Sequence, residues 1–176
     1  MDATHFHLVL SHFPIVGTFV GMGILAYGQF FKNIEIQKVA LATFILMAIL
    51  TIPIFLTGEE AEETVEHVAG ISEQLIENHE ELAEKSVWLM GFLGVLSLLN
   101  LFTIIKKYSF AKSITIVSVI TSVLTFGFFA QVGNLGGQIR HSEIRTESNI
   151  LQKGNKNIDK REREHDEDRE REHDDD

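Results

Sequence analysis

Apolar and charged residues are segregated into blocks along this chain rather than mixed. Four blocks are apolar and long enough to cross a bilayer: Leu8 to Phe31, Val39 to Thr57, Val87 to Ile105 and Phe110 to Val132. From Phe13 to Phe31 no residue is charged, and as a helix that stretch covers about 28 Å, close to the hydrocarbon thickness of a membrane. A helix this long and apolar on all faces has no water-soluble setting in so small a chain. The pattern predicts an all-α polytopic membrane protein, a bundle of four transmembrane helices within residues 1–147. Residues 148–176 form a separate charged tail, ending in the repeated units REREHDED from Arg161 and REREHDDD from Arg169. Such mixed-charge low complexity cannot build a core and predicts disorder.

The segment between the second and third blocks, residues 58–85, holds ten glutamates against one lysine and cannot enter the bilayer. Glu59 to Val68 reads as a short surface helix, broken at Gly70, with Ser72 placed to cap the next helix. Leu75, His79, Leu82, Ser86 and Met90 recur at helical spacing, which predicts one continuous helix from about Glu73 to Ile105 with His79 on its inward stripe. At the chain's start, Thr4 or Ser11 is a candidate N-cap. Ser11 would put Pro14 in the first turn, whereas Thr4 would put it inside the helix, freeing the carbonyl of Leu10. Gly17 and Gly21, four apart, allow close approach of a neighbouring backbone. Gly58 is placed to cap the second span, and the glycines of GNLGGQIRH, residues 133–141, permit a tight break or a close backbone approach where the fourth span ends after Val132.

Composition adds direction to this frame. Mean hydropathy is only +0.10 and formal net charge −10, averages that conceal the segregation. The two short loops carry Lys32, Lys38, Lys106, Lys107 and Lys112 with Glu35 as the one acid, so the positive-inside rule makes them cytoplasmic. Both termini and the acidic segment then face outward from a bacterial inner membrane. The N-terminus lacks the basic region of a cleaved leader and reads as part of the first span. With no cysteine, disulfides, thiolate metal sites and covalent c-type haem attachment are excluded. Phosphate loops, nucleophile elbows and basic nucleic-acid stripes are absent from the sequence, which turns the reading away from soluble enzymes and nucleic acid.

Histidines supply the candidate chemistry. His12 in SHFP heads the first span, His79 opens the third, and Arg140 and His141 close the fourth; in an up-down bundle those ends meet. One reading is a b-type haem ligated by His12 and His79, with Arg140 and His141 serving its propionates. A second is a divalent Zn, Cu or Fe ion held by His12, His79 and His141, with His5, Glu59, Glu63 and His67 as further candidates. A third is a non-catalytic membrane subunit, packing on a second copy or docking a redox protein on its acidic outer surface. Height along the helices complicates the first pairing: His79 lies about 39 Å above Ile105 but His12 only about 28 Å above Phe31. His5 would be level with His79.

The placing of HFP at the head of the first span, NHEELA at the third and GNLGGQIRH at the fourth resembles the bacterial "domain of unknown function 2231" family over roughly residues 8–142. That resemblance implies a four-helix membrane protein with His12, Pro14, His79, Gly136, Gly137, Arg140 and His141 at matching positions. Related domains are joined to Rieske or cytochrome c modules, which implies work beside an electron-transfer chain. The glutamate-rich outer segment and the charged tail depart from the family's pattern.

Overall fold

The computed structural model describes residues 3–58 and 73–140 and, within them, the side chains of residues 7–58 and 73–139. Four helices fill these ranges: α1 (Ala3–Phe30), α2 (Ile34–Leu56), α3 (Glu73–Ile105) and α4 (Ala111–Arg140). All four are long and apolar enough to span a membrane. The chain divides after Gly136 into two compact units; everything below concerns the first, apart from the last turn of α4.

Each inward stripe follows an alternating three- and four-residue spacing. On α1 it runs His7, Ser11, Pro14, Thr18, Gly21, Leu25, Gly28; on α4 it runs Thr115, Ser118, Ser122, Thr125, Phe129. A 3.5-residue average period keeps one seam against its neighbours in a left-handed bundle. What that seam buries marks the solvent. Thr18, Gln37, Thr51, Ser86, Ser97, Asn100 and a run of hydroxyls on α4 are buried, while Phe13, Phe19, Leu46, Phe92, Leu98 and Ile120 stand exposed. Water would reverse this distribution; lipid tails do not, because they solvate apolar side chains and leave polar ones to find partners between helices. Trp88 is also exposed, at the level where α3 leaves its polar extension, as suits an interfacial tryptophan.

Glycines set the close approaches. A Cβ on Gly17 would overlap Met47, and one on Gly21 would fall 2.7 Å from the Phe44 ring, so the first-span glycine pair does seat α2. Gly94 of α3 lies as closely on Ala48 of α2. On the other flank α4 meets α1 through Phe19 and Phe126, ring centroids 5.1 Å apart. It meets α3 through Asn100, whose amide donates to Ser118 Oγ at 3.2 Å and accepts from Thr115 Oγ1 at 3.2 Å.

The two short loops are built alike. After α1 the N–H of Asn33 reaches back to the Gly28 carbonyl and that of Lys32 to Gln29; after α3 the N–H of Tyr108 reaches Thr103 and that of Lys107 reaches Ile104. Both are Schellman caps, with lysine in the left-handed position (φ 55° at Lys32, 57° at Lys107) where glycine is usual. Asn33 then caps α2 by accepting from the N–H groups of Glu35 and Ile36.

Three sequence expectations are corrected. α1 starts at Ala3, so neither Thr4 nor Ser11 is its N-cap and Pro14 sits inside the helix, fully buried. α2 ends on Thr57, whose N–H and hydroxyl both donate to the Pro53 carbonyl, and Gly58 takes no left-handed conformation. α4 does not end at Val132 but runs on to Arg140: of the two roles open to its glycines, Gly133 and Gly136 take the close approach, to Ile15 and His79, rather than the break. The expected surface helix at Glu59 to Val68, the Gly70 break, the Ser72 cap and the tail lie outside the described residues.

Candidate functional site: a histidine pair at the end of the bundle

The start of α1, the end of α2, the start of α3 and the end of α4 share the end of the bundle opposite the two short loops, and each contributes to one polar cluster. From α1, the half-buried His7 sets Nδ1 3.0 Å from the carbonyl of Ile54 and 3.5 Å from Thr57 Oγ1, both on the last turn of α2. A carbonyl only accepts, so the proton is assigned to Nδ1 and the lone pair to Nε2. Gly58 leaves room beside the ring: a Cβ there would lie 3.6 Å from His7 Cε1.

From α3 comes His79. Its Nδ1 is buried and has no hydrogen-bond partner among the described residues. The carbonyl of Val132 on α4 faces the ring, outside hydrogen-bonding geometry at Nδ1, and His7 is near enough for the two imidazoles to interact electrostatically. Gly136 of α4 abuts the ring, since a Cβ there would fall 3.3 Å from Cε1. An imidazole nitrogen shut away from water without a partner costs about 1–3 kcal/mol, a debt that a ligand at this point would cancel.

The arrangement has an internal logic. Imidazoles come from the odd helices, the glycines from just beyond α2 and from within α4, and each ring faces a backbone carbonyl of the helix that follows its own. A backbone carbonyl on one ring nitrogen orients the other as a ligand or proton acceptor. A neutral imidazole so held, as His7 is by Ile54, can ligate a metal centre or pass a proton.

The structure distributes the sequence candidates unevenly. His79 is in the cluster. His12 is exposed, its Nδ1 donating to the Leu8 carbonyl of its own helix at 2.9 Å; the imidazole within electrostatic reach of His79 is that of His7. The side chains of His5 and Arg140 are not among those described, and Glu59, Glu63, His67 and His141 lie outside the described residues. Among the described residues, no three His, Asp or Glu side chains form a group that could hold a metal ion. His7 was missed because HFP drew attention to His12. Its signal lay in the stripe His7, Ser11, Pro14, Thr18, Gly21, Leu25: His12 is five residues from His7, about 140° round the helix. No family model, curated protein or solved structure matches the chain.

Proposed function

We propose that this membrane protein is a b-type haem electron-transfer subunit of a respiratory chain, its iron held between His7 of α1 and His79 of α3. The carrying observation is the buried Nδ1 of His79, which has no partner among the described residues and lies within electrostatic reach of His7, with Gly136 against its ring. Haem supplies its own equatorial nitrogens, so two imidazoles complete its coordination, and it brings one-electron chemistry. The chain's own part is to bind and orient. The Ile54 carbonyl holds His7 with Nε2 free. His79 would offer the iron its Nδ1, which has no partner among the described residues. Gly58 and Gly136 leave room for the two imidazole rings themselves.

A divalent ion is the second reading, favoured by the sequence running from Gly58 directly into Glu59 and Glu63. It would need a third and fourth ligand beyond the two imidazoles. By the positive-inside rule, the lysine loops face the cytoplasm and the histidine pair faces outward. There the exposed Glu73, Glu77, Glu80, Glu81 and Glu84 of α3 would receive a basic redox partner.

A visible spectrum with elemental analysis of the detergent-purified full chain from haem-replete cells tests this. A Soret band and about one iron per chain are expected. Stoichiometric metal without a Soret band moves the assignment to the second reading, and the absence of both ends the two together.

A further inference from the structure

The opposite end of the bundle carries its own unanswered charge. The loop between α3 and α4 presents Lys106, Lys107 and Lys112, all exposed, and from Ser86 to Ile139 the sequence contains no acidic residue. The acid of the other short loop, Glu35, is engaged by Lys38 at 2.8 Å. No carboxylate on these loops is left to answer the three lysines.

Backbone and aromatic groups accompany these lysines. Lys107 occupies the left-handed position of its Schellman cap at φ 57°, where glycine would be unstrained and a side chain is tolerated at a cost. A lysine kept in that position directs the question to what its charge does. Around it, Tyr108 stacks on Phe110 at 5.2 Å with an interplanar angle of 11°, and Lys106 lies over the Phe102 ring at 5.9 Å. Tyr108 and Phe110 are exposed, a flat amphipathic surface at the depth where glycerol and acyl chain meet.

We propose that Lys106, Lys107 and Lys112 hold the phosphate of an anionic phospholipid in the leaflet on the loop side, with the Tyr108–Phe110 stack lying against its glycerol region. Three cations within seven residues, no competing carboxylate and an apolar shelf fit a lipid with a net negative headgroup better than a zwitterionic one. The inference is independent of the histidine pair.

The test uses the full chain in nanodiscs of phosphatidylcholine with or without phosphatidylglycerol, followed by native mass spectrometry and thermal melting. The wild type is expected to retain phosphatidylglycerol selectively and to melt several degrees higher in its presence. The variant K106Q/K107Q/K112Q should lose both effects, whereas K32Q/K38Q should keep them. K107G separates cap from charge: relieved of the positive φ, it should melt higher than wild type in neutral detergent yet gain less from phosphatidylglycerol. Retention of the lipid by the triple glutamine variant overturns the proposal. So does an equal loss in K32Q/K38Q, or the same melting shift produced by inorganic phosphate in neutral detergent.

Discussion

Two imidazoles five residues apart on α1 have opposite fates, and the difference is one of rotation rather than chemistry. His7 falls on the seam with Pro14, Thr18 and Gly21; His12 falls on the outside with Val9 and Val16. His7→Ala and His79→Ala are each expected to abolish cofactor retention, with the double variant losing nothing more, while His12→Ala retains it, all read from the absorbance per mole of purified protein. The reverse result, with His12→Ala alone losing the cofactor, would move the site to the outer face of α1. Gly136 makes a finer probe. A methyl group 3.3 Å from His79 Cε1 is expected to weaken retention about tenfold, or ~1.4 kcal/mol, whereas Gly58→Ala, at ordinary contact distance, should change it less than threefold, below ~0.7 kcal/mol. Sequence made His79 readable because helical periodicity ran through it. It hid His7 because a short motif outweighed the seam, although the mismatch in height between His12 and His79 already argued against that pair. Counting up from Phe31, His7 stands about 36 Å high, close to His79.

Glycines with the same residue type play different parts along one helix. Gly21 is pressed by the Phe44 ring, and Gly23, two positions on, has nothing within 4 Å of where a Cβ would be. Gly21→Ala should cost about 1–3 kcal/mol by overpacking, and Gly23→Ala should stabilise by up to about 1 kcal/mol through helix propensity, both measured by unfolding in mixed detergent. Asn100 is the polar counterpart. Its amide ties α3 to α4, but Ser118 and Thr115 also donate to the Ile114 and Ala111 carbonyls of their own helix. Removing the amide therefore strands neither hydroxyl. Asn100→Leu should cost only about 1 kcal/mol, the scale of two interhelical hydrogen bonds in lipid, and a double-mutant cycle with Thr115→Val should recover about half of that as coupling. Helix number, the unbroken α3 and the Gly17–Gly21 contact were legible from periodicity and spacing. The path of α4 through Gly133 and Gly136 was not, because glycine signals a turn and a close contact alike, and only the neighbour, Ile15 or His79, decides which.

At the scale of the molecule, polar groups inside and apolar ones outside make the bilayer part of the fold, and the direction proposed for it rests on the positive-inside rule applied to the lysine loops. A reporter fused after Asp176 should be active only outside the cytoplasm; cytoplasmic activity would invert the assignment and place the histidine pair on the inner face. The matched Schellman caps carry a different consequence. Lys32 follows His7 by 25 residues and Lys107 follows His79 by 28, a difference of less than one turn, and each is followed by a helix whose glycine, Gly58 or Gly136, faces the imidazole of its own hairpin. The two hairpins thus share one arrangement of imidazole, lysine cap and glycine, and each brings one imidazole to the same end of the bundle. Because the halves join through the segment between Gly58 and Glu73, two co-expressed fragments cut there should find each other in the membrane and regain the cofactor of the intact chain. Neither fragment alone, with a single imidazole, should do so.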